Sequence, residues 1–208
     1  PMLLLIGWRG EPGIKDEPQH ITQGKLTLPL LDLMEIPYIV ISKESLDFEE
    51  KINMTIKQIR QTNIPHAIVI KKNTFKSFTL KDNTKVEYEM TREDAIKIII
   101  DGLDENDIVI STTGKTSREL FEYRRNKKHS HNRDFLTVGS MGHSSQIALA
   151  IANEKINNNV YCIDGDGSVI MHAGSLGIIG ANGNSNFKHI IINNGSHDSV
   201  GGQPTIGY

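Results

Sequence analysis

The chain has 208 residues, of which 38% are hydrophobic and 23% charged, and a net charge of −2. That length buries a real core in one large or two small domains. The near-neutral balance gives no global reason to expect nucleic acid or an anionic membrane surface as partner.

No apolar run approaches the roughly 18 residues of a membrane span. The single cysteine, Cys162, excludes an internal disulfide and fits a reducing, cytoplasmic compartment. It lies within an apolar strand and reads as core. Residues 2–6 are too short for a signal-peptide core and lack a basic leader. Pro1 is not an initiator, and the chain stops at Tyr208 without a closing helix. The expectation is a fragment, or a chain cut at both ends.

In chain order, residues 2–6 read as a buried strand ending at Gly7-Trp8-Arg9-Gly10, and residues 11–23 as a polar surface loop with Pro12, Gly13 and Pro18. Leu26, Leu30, Leu31, Leu33 and Met34 suit a short helix that stops before Pro37. Residues 38–41 form a strand, and Phe48, Ile52, Ile56 and Ile59 recur at helical spacing through residue 62. Residues 67–70 are the next strand. This βαβαβ alternation predicts parallel topology.

Residues 76–90 lose all periodicity and read as a linker between a first module, 1–75, and a second, 91–208. Thr91 and Asp94 make an N-cap pair for a helix with Ile96, Ile99 and Ile100 on its apolar face. Strands follow at 107–111 and 135–138, with helices at 117–125 and 144–154. The fold class is therefore α/β, parallel sheets flanked by helices.

The second module ends in its most informative stretch. An apolar run at 160–163 leads into Gly165-Asp166-Gly167-Ser168, and a second apolar run at 190–192 leads into Asn193-Asn194. Two buried parallel strands would bring both ends to one carboxyl edge, where open α/β sheets bind ligands. Asp166 offers a carboxylate and Asn194 an amide oxygen, hard donors suited to Mg²⁺ or Ca²⁺. Gly165 and Gly167 let backbone approach closely, and Ser168 onward opens a helix whose free N–H groups favour an anion. A metal flanked by phosphate donors predicts a bound diphosphate.

GDG followed by NN at this spacing resembles the thiamine-diphosphate-binding motif of the thiamine-dependent decarboxylases. The wording GDGSVIMHAGSL and HIIINNGSHDSVGGQPT is similar to the phosphonopyruvate decarboxylases within that family, with the sulfopyruvate decarboxylases as nearest relatives. The resemblance implies the thiamine-diphosphate-binding fold: a partial pyrimidine-binding-type domain in the first module and a diphosphate-binding domain, itself cut short at its C-terminus, in the second. It implies Mg²⁺ held by Asp166, the Asn194 side chain and the Ser196 carbonyl. It also implies a homo-oligomer with active sites between subunits.

Gly139-Ser140-Met141-Gly142 on its own is a βα turn. Under the resemblance, the Gly139 carbonyl accepts from the cofactor's amino group and Met141 wedges beneath it to hold its bend, which brings reacting atoms together. Thr112 to Arg118 does not fit the Walker spacing but keeps the makings of an anion site: hydroxyls, free N–H groups and a helix start. By the resemblance Gly114 and Lys115 line the diphosphate, while Lys115 or Arg118 alternatively meets a substrate phosphonate.

His197 and Asp198 are the candidate catalytic pair, since a histidine near a metal site can shuttle protons at neutral pH; Ser199 faces substrate. Arg9 is a candidate clamp for a phosphonate or carboxylate through its forked geometry. The basic run from Arg124 to His131 lacks interleaved aromatics and reads as a solvated helix end.

The resemblance implies a carbon–carbon lyase that decarboxylates a 2-oxo acid bearing a second acidic group, 3-phosphonopyruvate to phosphonoacetaldehyde or alternatively sulfopyruvate. The family's catalytic glutamate lies in a half-domain without counterpart here, and Glu11 and Glu17 do not match its context. The 208 residues alone are thus expected to be inactive or to need a partner chain, and a non-catalytic cofactor-holding subunit is the remaining alternative.

Overall fold

A computed structural model describes residues 1–78, 88–198 and 201–207. The chain divides into two compact units, Pro1–Thr84 and Lys85–Tyr208. The division falls inside the segment expected to be a linker, of which residues 79–87 lie outside the described residues. Among the described residues no helix is long and apolar enough to cross a membrane.

The first unit contains β1 (Leu3–Gly7), α1 (Ile21–Leu33), β2 (Tyr38–Ile41), α2 (Phe48–Thr62) and β3 (His66–Ile70). All strand pairing is parallel and β3 is central, in the order β1-β3-β2. Burial follows position: β3, paired on both sides, is buried from His66 to Val69, whereas β1 on the edge alternates. Leu31, Ala67 and Val69 form the core, with Trp8, Leu28 and Tyr38 against them.

The expected loop over 11–23 is corrected at its end: Pro18–His20 form a 3-10 turn and α1 already begins at Ile21. The physical cause is tertiary. Gly24 sits so close to Gly10 that a Cβ there would lie 1.8 Å from the Gly10 carbonyl oxygen. The Trp8 indole N–H donates to the Gly24 carbonyl at 2.8 Å, which anchors the helix start to the end of β1. Pro29 within α1 removes one backbone donor without ending the helix.

The second unit runs α3 (Arg92–Asp101), β4 (Ile108–Ser111), α4 (Lys115–Lys127), β5 (Asp134–Leu136), α5 (Ser144–Glu154), β6 (Val160–Gly165), α6 (Asp166–Met171), α7 (Ser175–Asn182), β7 (Phe187–Ile192), β8 (Ser196–His197) and β9 (Gln203–Pro204). Its parallel sheet has the order β5-β4-β6-β7. The two faces are read off with a period of two. Val109 and Ile163 pack with Ile96, Ile100 and Leu120 from α3 and α4. Ile110, Val160 and Cys162 pack with Ala148 and Ala152 from α5. The Thr91 cap forms as expected, a reciprocal capping box with Asp94.

From β4 the chain goes outward to β5, then returns across β4 to β6 and onward to β7. The direction of winding therefore reverses between β4 and β6, and the carboxyl ends of these two neighbours splay apart around a crevice. That crevice holds the candidate site.

Candidate functional site

The GDG strand and the NN strand are adjacent and parallel, with Gly165 in register with Ile192. Their ends, together with the end of β4, line one cleft. It is bordered by Thr112, Thr113, Lys115 and Thr116 from β4 and α4, by Met141, and by residues 165–168 of the GDG turn. The other wall is Ile192, Asn194, Ser196, His197 and Asp198, with Arg92 from the start of α3.

Asp166 begins α6, two residues before the helix start expected from sequence, because the GDG turn closes directly into helical backbone. Its residue is only 7% exposed, yet among the described residues no lysine, arginine or histidine pairs with it. One carboxylate oxygen accepts a hydrogen bond from the buried Thr205 hydroxyl. A buried carboxylate that faces a cleft and has no cationic side chain paired with it among the described residues fits a cation from outside. Asn194 Oδ1, on the same cleft, accepts the Ser196 N–H at 3.1 Å and keeps a second lone pair. An Asp carboxylate, an Asn amide oxygen and main-chain carbonyls are all-oxygen donors, which fits Mg²⁺.

Ser168 is buried and joins three segments. Its hydroxyl oxygen accepts from Thr112 Oγ1 at 2.9 Å and from the Gly142 N–H at 3.0 Å. The end of β4, the 139–142 turn and the GDG helix are thereby fixed to one atom. Gly142 has φ +91°, and a Cβ there would press within 2.9 Å of the Ser168 carbonyl oxygen, so glycine is required at this point. The Gly139 N–H donates to Thr113 Oγ1 at 3.0 Å, tying the same turn to the β4–α4 connection.

Behind Asp166, Asp164 is buried. Burial alone would raise its carboxyl, but hydrogen bonds from His189, Ser168 and the Gly165 N–H outweigh it and hold it below the usual value. Cys162 is buried beside it, and burial pushes the thiol up, consistent with an inert core residue.

Gly167 lies under the His197 ring: a Cβ there would come within 2.9 Å of Nδ1. The loop carrying His197 returns through the β8–β9 pairing, His197 opposite Gln203. Asp198 accepts from Arg92 Nη1 at 2.8 Å and lies 3.9 Å from Lys115 Nζ. The hydrogen bond from Arg92 holds the Asp198 carboxyl below its usual value. Asp198 is thus anchored by Arg92, which leaves His197 as the freer proton-handling candidate of the pair.

Four other residues are expected at the site from sequence. Arg118 is exposed on α4 and borders a different groove, with Phe121, Leu136 and Val138. Arg9 belongs to the first unit, and its guanidinium fork is taken by Asp16 at 2.9 and 2.7 Å. Ser199 lies outside the described residues. Gly114, with φ +96°, is the N-cap of α4, between Thr113 and Lys115 of the cleft lining. In the first unit, Glu11 is paired with Lys71 at 2.7 Å.

Sequence reasoning missed Arg92 and Thr205. Arg92 carried a signal: a cation in the first turn of a helix opposes the helix dipole, so such a residue has partners elsewhere. Thr205 carried none.

Residues 112–208 match the family model described as the C-terminal TPP-binding domain of thiamine pyrophosphate enzymes. The chain is 31% identical over 221 residues to a phosphonopyruvate decarboxylase of Streptomyces viridochromogenes, an alignment covering 99% of this chain and 54% of the relative. A phosphonopyruvate decarboxylase of Streptomyces hygroscopicus is 29% identical with the same coverage. The beta subunit of a Methanocaldococcus jannaschii sulfopyruvate decarboxylase is 39% identical over 114 residues, 55% of this chain and 57% of the relative. The chain spans about half the length of these curated relatives. Residues 112–208 are thus a C-terminal thiamine-pyrophosphate-binding domain of the thiamine pyrophosphate enzyme type, in a chain whose homologues along nearly its whole length are phosphonopyruvate decarboxylases.

Proposed function

We propose that the protein to which these residues belong decarboxylates 3-phosphonopyruvate to phosphonoacetaldehyde, with thiamine diphosphate and Mg²⁺ bound in the cleft between β4, β6 and β7. The observation that carries the reading is the buried, cation-less Asp166 facing the same cleft as Asn194, within a domain of the thiamine-pyrophosphate-binding type.

Asp166, the Asn194 amide and the Ser196 carbonyl would hold the metal, and the start of α4 with Lys115 would meet the diphosphate. When bound, thiamine diphosphate supplies the electron sink that lets CO₂ leave. The chain's own contribution is placement. Met141 borders the cleft on an adaptable thioether side chain suited to supporting a bent cofactor. His197, held over Gly167, is the side chain that would move a proton at the substrate carbon. Lys115 supplies positive charge for an acidic substrate or for the diphosphate. The resemblance to enzymes with sites between subunits makes an oligomer part of this reading.

Sulfopyruvate is the second candidate substrate, favoured by the 39% identity of a sulfopyruvate decarboxylase beta subunit over 114 residues. The test is aldehyde formation by the full-length protein with thiamine diphosphate and Mg²⁺, using each acid in turn. Turnover of phosphonopyruvate well above sulfopyruvate is the expected result. The reverse preference transfers the assignment, and cofactor binding without CO₂ release from either acid leaves a cofactor-holding subunit.

A further inference from the structure

We propose that Arg92 is a positioning residue for the cofactor cleft: it tethers the 194–198 segment through Asp198 and cancels the Asp198 charge beside the anion site. The inference rests on the reading of the cleft as a metal and diphosphate site.

The geometry divides the guanidinium between two tasks. Nε and Nη2 donate to the two oxygens of Glu119 on α4 at 2.8 and 2.7 Å, a fork that fixes the plane of the group. Nη1 is then left to point at Asp198, 2.8 Å away and 106 residues along the chain. The Arg92 side chain is 17% exposed and Glu119 23%, so the fork is largely shielded, while the Asp198 side chain, 37% exposed, meets Nη1 nearer solvent. Arg92 opens α3, whose start is fixed by the Thr91–Asp94 capping box, so the group is held at its root as well as its tip.

What the tether holds is the segment with the expected metal ligands. Asn194, Ser196 and His197 lie in the residues just before Asp198. Among the described residues, the backbone ties of this segment to other parts of the chain are the β8–β9 pairing, the Thr205 N–H to the Gly195 carbonyl at 2.9 Å and the Gly202 N–H to the His197 carbonyl at 3.1 Å. These join the segment to residues 202–205, whereas Arg92, at 2.8 Å, with Lys115 more distant at 3.9 Å from the same carboxylate, ties it to the α3–α4 layer.

Charge gives the second part. Asp198 and Lys115 both border the cleft. An unneutralised carboxylate there would repel an incoming diphosphate and draw Lys115 away from it. Arg92 offsets Asp198 and leaves Lys115 to the anion. Arg92 itself, engaged by two carboxylates, is not a free phosphate clamp.

The experiment uses the full chain with two readouts: calorimetric affinity for thiamine diphosphate with Mg²⁺, and amide hydrogen exchange of the cofactor-free protein. Arg92→Ala should weaken affinity several-fold, as expected when one partner of a partly exposed charge pair is removed, and should raise exchange at residues 194–198. Arg92→Lys, which keeps charge but loses the fork, should fall between. Adding Asp198→Asn to Arg92→Ala should recover part of the lost affinity, because the stranded carboxylate is gone. Unchanged exchange at 194–198 in Arg92→Ala overturns the tether. Additive losses in the double variant overturn the charge-cancelling role. If the unaltered protein fails to bind thiamine diphosphate, the reading of the cleft falls, while the exchange measurement still decides the tether.

Discussion

The Thr205 hydroxyl donates to the Asp166 carboxylate across 39 residues of chain, with both groups buried. It is a neutral partner for a charged group, and it leaves the negative charge of Asp166 in place for a cation. Removing either partner therefore has different consequences. Asp166→Asn should abolish Mg²⁺-dependent binding of thiamine diphosphate yet leave the unliganded protein equally or more resistant to heat, because an uncompensated buried charge disappears. Thr205→Val should keep the charge and lose its donor, weakening cofactor binding by about tenfold, the scale of one hydrogen bond to a charged group. Calorimetry with thermal melts checks both; a melting temperature for Asp166→Asn well below that of the parent would contradict the account.

Lys115 and Arg118 sit three residues apart but face different surroundings. Lys115 borders the cleft and Arg118 a groove outside it. Lys115→Met should raise the dissociation constant of the diphosphate cofactor several-fold, about what one partly exposed charge contributes. Arg118→Met should leave it unchanged. Equal effects of the two variants would place the anion elsewhere.

Gly167 leaves no room for a methyl group beneath the His197 ring. Gly167→Ala must move that ring, and kcat is expected to fall more than cofactor affinity if His197 handles the proton. An alanine variant with normal kcat would remove His197 from that role.

The depressed Asp198 carboxyl makes a signed prediction for acid stability. Its ordinary value is 3.8, and the pairing with Arg92 lowers it in the folded state. The unfolded chain therefore binds a proton first as pH falls. The stabilisation is fully present above about pH 4 and is lost as pH drops through the lowered folded value. Melting temperatures from pH 6 down to 3 should decline less steeply in Asp198→Asn than in the parent, and parallel curves would argue against the pairing.

The strands of the two parallel sheets, most of the longer helices and the residues at the ends of β6 and β7 were legible in the sequence for a shared reason, whereas the β8–β9 pair was not. A period of two or 3.6 in apolar residues records burial directly, and small polar residues at a strand end record a turn. Asp166, Asn194 and His197 stood out because their chemistry is unusual where an apolar strand ends. The early start of α1 was not legible, because it depends on Gly24 meeting Gly10 and on the Trp8 indole reaching the Gly24 carbonyl, contacts that leave no local pattern.

The sequence by itself determined the parallel α/β alternation, the pair of strand ends and the type of cofactor domain, since each is encoded by neighbouring residues. Only the tertiary structure decided that Lys115 enters the cleft while Arg118 does not, that Ser168 is a buried junction, and that Asp198 belongs to Arg92. Those outcomes depend on which side of a helix faces the sheet and on groups brought together from distant parts of the chain, and no spacing along the chain records either.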